Sequence, residues 1–370
     1  MTGSTQITKT DGTRIAEQRD IWPDILRIVA VFAVVVLHTG VEHFYRIDTR
    51  TATWQICNLC ESLDRFCVPV FIMVSGHFLL DPDREYTQKK LYGVKILRLA
   101  TAYLFWSVFY VLTDYWFALK YGHDVKLTCS VFFREAVAGK NHLWFLPMMA
   151  GLYMVTPVLR HIVRSETVTV YFLALSLVFV FAVNTLDLIP FFHDAVTPEI
   201  ERLDFKLAAG FSGYYVLGFW LARHELKPAA RKGVYLAGIL AVLATAAING
   251  AIGYRLHRPG EWMFGTLILN TLLASAAVFV FCRYQFQDWR PAPGPRKLIA
   301  MLGKWSFGIY LVHLFVLAYF NYILIRLDVF SFVCAHPLVS IPVASAAVFS
   351  VSALFVSVLS RIPILNKYIV

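Results

Sequence analysis

Apolar residues run through this chain in long blocks, interrupted by short polar segments rich in Lys, Arg, Pro and Gly. A hydrocarbon layer of roughly 30 Å requires about 20 mostly apolar residues per helix. Ten stretches approach that length: 21–42, 56–80, 92–118, 142–159, 168–190, 209–222, 233–254, 263–282, 299–325 and 335–360. The sixth is short, and the fourth carries Pro147 and Pro157. Because lipid offers no partner for a backbone N–H or C=O, runs of this kind read as helices. The predicted fold is all-α, a polytopic bundle of about ten transmembrane helices. Residues 1–20 are polar and read as a cytoplasmic tail, with 21–370 forming one membrane domain.

Composition agrees with lipid as the main solvent. Of 370 residues, 58% are hydrophobic and only 16% charged, and mean hydropathy is +0.61. A water-facing surface cannot be assembled from so few charges. The net charge of +10 would suggest nucleic acid in a soluble protein, but the cations lie mainly in short loops. With the N-terminus inside, inner segments hold 18 Lys and Arg and outer segments 11. The positive-inside rule therefore predicts N-in and C-in, and nucleic acid is not an expected partner. Cys57 and Cys60 show CxxC spacing, but no second pair completes a zinc site, so no metal is expected.

Accounting for all 34 basic residues leaves five inside apolar stretches: Arg27, Arg65, Lys95, Arg98 and Lys304. A charge near the bilayer centre costs at least about 2.5 kcal/mol, so each requires a partner, a wet cavity or a route to the interface. Arg27 and His38 are the conspicuous polar side chains of DILRIVAVFAVVVLHTG. Eleven residues come to three turns plus roughly 20°, which places both on one face about 16 Å apart. Snorkelling and interfacial wetting account for each separately, but not for the shared face. The functional alternative makes His38 a general base and has Arg27 hold an anion or shape the field of a cavity. Asp24 is placed to pair with Arg27, and Glu42 to orient His38.

Further candidates follow. Arg65 and Ser75 lie in ESLDRFCVPVFIMVSGHFLL, where Pro69 predicts a kink and Ser75-Gly76 close helix contact. Lys95 and Arg98 sit one turn apart beside Arg84, Lys89 and Lys90; they are either topological signals or a site for the phosphates of a nucleotide-containing donor. His142 lies in NHLWFLPMMAGLYMVTP and His313 in LGKWSFGIYLVHLFVL, near mid-membrane. The aromatic residues Tyr214, Tyr215 and Tyr310 read as ordinary membrane residues.

Taken in order, Arg27-x10-His38, VPVFIMVSGHFLL, Lys95-x-x-Arg98, HLWFLPMMAGLYMVTP, SFGIYLVH and RIPILNK resemble the acyltransferase-3 family of integral membrane acyltransferases. The resemblance spans essentially the whole chain, which looks more like the short, stand-alone type that acetylates enterobacterial common antigen or related polysaccharides. It implies a bacterial inner-membrane enzyme that moves an acyl group, commonly acetyl, from cytoplasmic acyl-CoA (acetyl-CoA) to a surface glycan or lipid-linked sugar. It also implies essential roles for Arg27 and His38, and donor binding by Lys95 and Arg98. Lysine stands at 95 where the family usually has arginine, and keeps the charge without the bidentate fork. Expected partners are acyl-CoA, the sugar acceptor, membrane lipid and, in an oligomer, a second copy of the chain. The rival readings are a transporter or flippase, which moves substrate without consuming acyl-CoA, and a ligand-sensing membrane module, which binds without turnover.

Overall fold

The computed structural model describes residues 20–85, 87–123, 125–195 and 210–370, excluding the side chains of Glu42, Ala195 and Cys334. Nearly all of the expected tail, and residue 209 of the sixth stretch, lie outside the described residues. Those described form helices and connecting turns, with no strand among them. Nine helices among them are long and apolar enough to cross a membrane: α1 (Trp22–Arg46), α2 (Ala52–Leu79), α3 (Gln88–Lys120), α4 (Asn141–Ile162), α5 (Glu166–Leu186), α7 (Pro228–Leu256), α8 (Leu269–Phe286), α9 (Pro293–Arg326) and α10 (Pro337–Leu359). The sixth stretch is α6 (Ser212–Arg223), a helix of 12 residues. At 1.5 Å per residue it rises only about 18 Å and does not span a bilayer by itself. The chain is therefore a polytopic all-α membrane bundle; among the described residues nine helices are long enough to span, and the short α6 ends on the same side as α2, where Arg223 pairs with Asp81 and Asp83.

Local chemistry sets the helix starts. Helices α1, α7, α9 and α10 each carry proline in the first turn, where the missing N–H has no intrahelical partner to lose. Thr51, Thr87 and Ser165 cap α2, α3 and α5 by accepting from the N–H three residues ahead. This satisfies donors that lipid would leave orphaned.

Helix α1 is the axis of the bundle and packs against α2, α8, α9 and α10. Leu26, Ala30, Val31 and Val35 along it are fully buried. Outward positions such as Leu104, Leu236, Leu240 and Leu354 are exposed and apolar, which is the pattern lipid contact requires. The tightest crossing is between α2 and α6. A Cβ on Gly76 would stand 1.8 Å from the carbonyl oxygen of Tyr215, and one on Gly218 would stand 2.1 Å from that of Met73. Backbone touches backbone there, as small residues in membrane helices permit.

Three local departures from the hydropathy pattern have physical reasons. Helix α2 is broken at Arg65 and Phe66 instead of kinking at Pro69, because a proline ring clashes with the carbonyl four residues earlier, which is that of Arg65. At this break Arg65 pairs with the buried Glu61 at 2.5 Å and lies over the Phe264 ring at 3.8 Å. Both Pro147 and Pro157 are accommodated in α4, which opens with a 3-10 turn over Asn141–Trp144. The expected helix over 263–282 begins only at Leu269. The apolar segment before it is non-helical because side chains satisfy its backbone: Tyr214 donates to Thr266 O at 2.7 Å, Asn270 to Met263 O at 2.9 Å and Thr271 to Gly265 O at 2.8 Å.

The close crossing generates a prediction. Gly76→Ala and Gly218→Ala each force two backbones apart, an overpacking that costs about 1–3 kcal/mol. Both lower the thermal unfolding midpoint of the purified protein in detergent. Gly151→Ala and Gly233→Ala, whose added Cβ meets no atom within 4 Å, leave it unchanged. Equal effects of all four variants would contradict the packing.

Candidate active site

Two adjoining cavities open around the start of α1. The first, of about 560 Å³, is lined by Arg27, Arg84, Lys90, Lys95 and Arg160 with one carboxylate, Glu85. The second, of about 270 Å³, is lined by Arg27, Ser75, Lys95, Arg98, Lys304 and Ser306, and ends on Phe145 and Tyr310. Arg27 and Lys95 belong to both, so they form the boundary between them. Five cations line the first cavity against one carboxylate; Asp24 pairs with Arg27 at 3.1 Å and Asp81 with Arg84 at 3.2 Å, and the charge that remains on its walls is still positive, which makes it an anion trap. Four of the five intramembrane cations line one or both of these spaces.

Backbone features position these side chains. Arg27 pairs with the buried Asp24 at 3.1 Å, the partner expected from sequence. Asp24 sits at the crossing of α1 and α9, where a Cβ on Gly303 would stand 2.6 Å from the Asp24 Cβ. Two guanidiniums lie over the Phe78 ring, Arg27 at 4.8 Å and Arg84 at 4.7 Å. Lys95 projects from a π-helical segment, Leu91–Ile96, at the base of α3; such bulges re-aim side chains and recur at functional sites. Arg160 donates to the carbonyls of Leu79 and Asp81, both at 2.8 Å, and so ties the loop after α2 to the cavity wall. Arg98 has a prior engagement: its guanidinium donates to the carbonyl of Val370 and stacks near Phe307 at 5.2 Å. Thr101 and Trp106 hold the neighbouring Tyr368 and Ile369 carbonyls at 2.8 and 3.1 Å. Within this arrangement Lys95 is the freer member of the expected donor pair.

Farther along the bundle, three of the sequence candidates converge. His38 Nδ1 lies 2.8 Å from the carbonyl of Val34 and 3.3 Å from Nε2 of His313. The His313 Nδ1 is 2.7 Å from the carbonyl of Tyr310. A carbonyl only accepts, so each Nδ1 carries the proton. The Nε2 of His313 then accepts from His38, and the Nε2 of His38 keeps its lone pair. This is the tautomer a general base needs. The His142 ring lies 5.5 Å from that of His313, and neither of its nitrogens makes a hydrogen bond of ordinary geometry. Tyr310 donates to the His142 carbonyl and its ring faces Phe145 at 5.4 Å, so the blind end of the second cavity abuts the histidine group.

The remaining candidates fall apart from this cluster. Arg65 is committed to Glu61 and Phe264, as described above. Ser75 lines the second cavity and donates to Phe71 O at 2.9 Å. His77 packs against Trp22 at 5.1 Å, which accounts for an aromatic ring at that position. The Glu42 side chain lies outside the described residues. Among the described residues no group of three or more His, Cys, Asp or Glu is placed to hold a metal ion. Arg84, Arg160 and Tyr310 are the site residues that sequence reasoning passed over. Loop arginines look the same whether they mark topology or line a cavity, and a tyrosine in a membrane helix carries no signal of its own.

Comparison with known proteins places the chain by family. The profile of the acyltransferase domain of the acyltransferase-3 family matches residues 20–361. No curated protein and no solved structure matches it. From Asp20 to Arg361 the match takes in both cavities and the histidine group, and the chain belongs to the acyltransferase-3 family of membrane acyltransferases.

Proposed function

We propose that this acyltransferase takes an acetyl group from acyl-CoA on the cytoplasmic side of a bacterial inner membrane and transfers it to a hydroxyl of a surface glycan or lipid-linked sugar. The observation that carries this reading is the sequence of environments along α1. An anion trap at Arg27 adjoins a narrower cavity whose far end abuts a histidine pair with one free Nε2. The donor's phosphates match five cations at the first cavity, and phosphate recognition by arginine and lysine is charge-assisted. Its pantetheine arm fits the second cavity, pointing the thioester toward His38. The positive-inside count puts the cation-lined end in the cytoplasm, where acyl-CoA is made.

Chemistry follows from the tautomer. The acceptor hydroxyl gives its proton to His38 Nε2 as its oxygen attacks the thioester carbonyl carbon. The C–S bond then breaks, and the leaving thiolate takes the proton from the imidazolium. His313 Nε2 and the Val34 carbonyl both face the His38 Nδ1–H, so the imidazolium forms with its second proton already satisfied. The logic is that of an oriented base, in which the third group fixes ring and tautomer. The anion-trap cations hold the donor and do not touch the reacting carbonyl.

Two outcomes test this. His38→Ala lowers kcat for acetyl transfer by about 100-fold or more, the usual span for a general base, while the protein stays folded and still binds acyl-CoA. Near-normal transfer, or movement of the sugar without consumption of acyl-CoA, would sink the assignment. Arg84→Ala and Lys95→Ala each raise the KM for acyl-CoA roughly tenfold, about 1.4 kcal/mol, and leave kcat within twofold. The effect weakens as salt is raised, since the first cavity is open to solvent and its charges are screened. An unchanged KM in both variants would remove the phosphates from this cavity.

A further inference from the structure

A third cavity, of about 680 Å³, lies at the opposite end of α3 and takes no part in the donor chemistry above. Its walls are the far half of α3, the helix Cys129–Ala138 and the first residues of α4. The fold builds this space deliberately. Tyr103 donates to the carbonyls of Val137 and Ala138 at 2.7 and 3.0 Å, which pins the end of the short helix against α3. Gly139 then turns the chain at a φ of +70°, and any Cβ there would stand 2.8 Å from the Tyr103 hydroxyl. Only glycine meets both demands.

At the floor of the cavity stands Ser107, 1% exposed, whose hydroxyl has no hydrogen-bond partner. Buried hydroxyls are rarely left unpaired, so one that lines a cavity marks a place for a polar ligand group. Near the mouth, Asp114 and Lys140 face each other at 2.5 Å, half and one-third exposed respectively. The ionisable residues of the lining are Asp114 and Glu135 against Lys126 and Lys140. Two acids and two bases cancel, in contrast to the five cations of the donor cavity, so this space does not select an anion. Tyr110 and Tyr115 add aromatic surface, and fixed polar groups beside aromatic faces suit a ring with hydroxyls on its edge and C–H groups on its faces.

The cavity also adjoins the histidines. The Tyr110 ring meets His142 edge-on at 5.1 Å, His142 meets His313 at 5.5 Å, and His313 meets His38 at 4.9 Å. His142, whose ring nitrogens make no hydrogen bond of ordinary geometry, stands between the cavity's Tyr110 and His313. We infer that this cavity is the acceptor site and that it takes a neutral, polyhydroxylated sugar ring, held by Ser107 and the Asp114–Lys140 pair. The inference rests on the reading of His38 as the base toward which the acceptor hydroxyl is directed.

The test uses the full chain in nanodiscs with acetyl-CoA and a panel of methyl glycosides, neutral or bearing a carboxylate or phosphate. Neutral glycosides are acetylated in preference to the charged ones. Asp114→Ala, at an exposed position, raises the acceptor KM about tenfold and leaves the acetyl-CoA KM within twofold; Ser107→Ala acts in the same direction. Preference for the anionic glycosides, or an acceptor KM unchanged in both variants, overturns the site. His38→Ala separates the two claims. If that variant still transfers acetyl, the base assignment fails, whereas the acceptor KM of Asp114→Ala decides the cavity in the wild-type background.

Discussion

A guanidinium among helices that face hydrocarbon must be given a partner, and the pairing of Arg27 with Asp24 is the constraint around which this bundle is arranged. Asp24 is itself buried, so the pair is stable only where α1 and α9 approach closely enough to enclose it, and Gly303 permits that approach. With α1 and α9 fixed in register at this point, the rise of the two helices brings His38 and His313 together farther along. The same crossing thus sets the position of the cation-lined cavity and of the histidine pair. Breaking it would move both.

The architecture divides labour by the length of α1. At its start, cations that would be costly in lipid are collected around two cavities and repaid by solvent, by Asp24 and by the Phe78 ring that Arg27 and Arg84 overlie. In its middle, polar groups are few, and His38 and Thr39 are tied to the carbonyls of Val34 and Val35. Toward its end the bundle opens again into a charge-balanced space under the helix Cys129–Ala138. A donor rich in phosphate and an acceptor rich in hydroxyls, as proposed, call for different surroundings, and the two ends of the bundle differ in that way: one is cation-rich and the other charge-balanced.

Much of this was legible in the chain. Hydropathy located the spans, because lipid punishes every unsatisfied backbone group, and the 3.6-residue period put Arg27 and His38 on one face. The pairing of Arg27 with Asp24 was also readable, since it depends on spacing within one helix, and the small pair Ser75-Gly76 marked a close contact without naming its partner on α6. Hydropathy failed where side chains replaced helical hydrogen bonds, as in the apolar segment before Leu269 that Tyr214, Asn270 and Thr271 satisfy. It failed again at Arg65, where the break falls four residues ahead of the proline that causes it. The convergence of His38, His142 and His313 depends on three separate helices, and no local pattern announces it. The engagement of Arg98 by Val370 joins residues 272 apart and is invisible to any motif.

The proposed function has donor and acceptor meet at His38 from opposite sides of the membrane. It is tested most directly in proteoliposomes of known orientation, with isotope-labelled acetyl-CoA on the side of Arg84 and Arg160 and a membrane-impermeant glycoside on the side of Cys129. Labelled acetyl is then expected on the glycoside across an intact bilayer, and none when the two substrates are exchanged. Transfer only when both substrates share one side would contradict it.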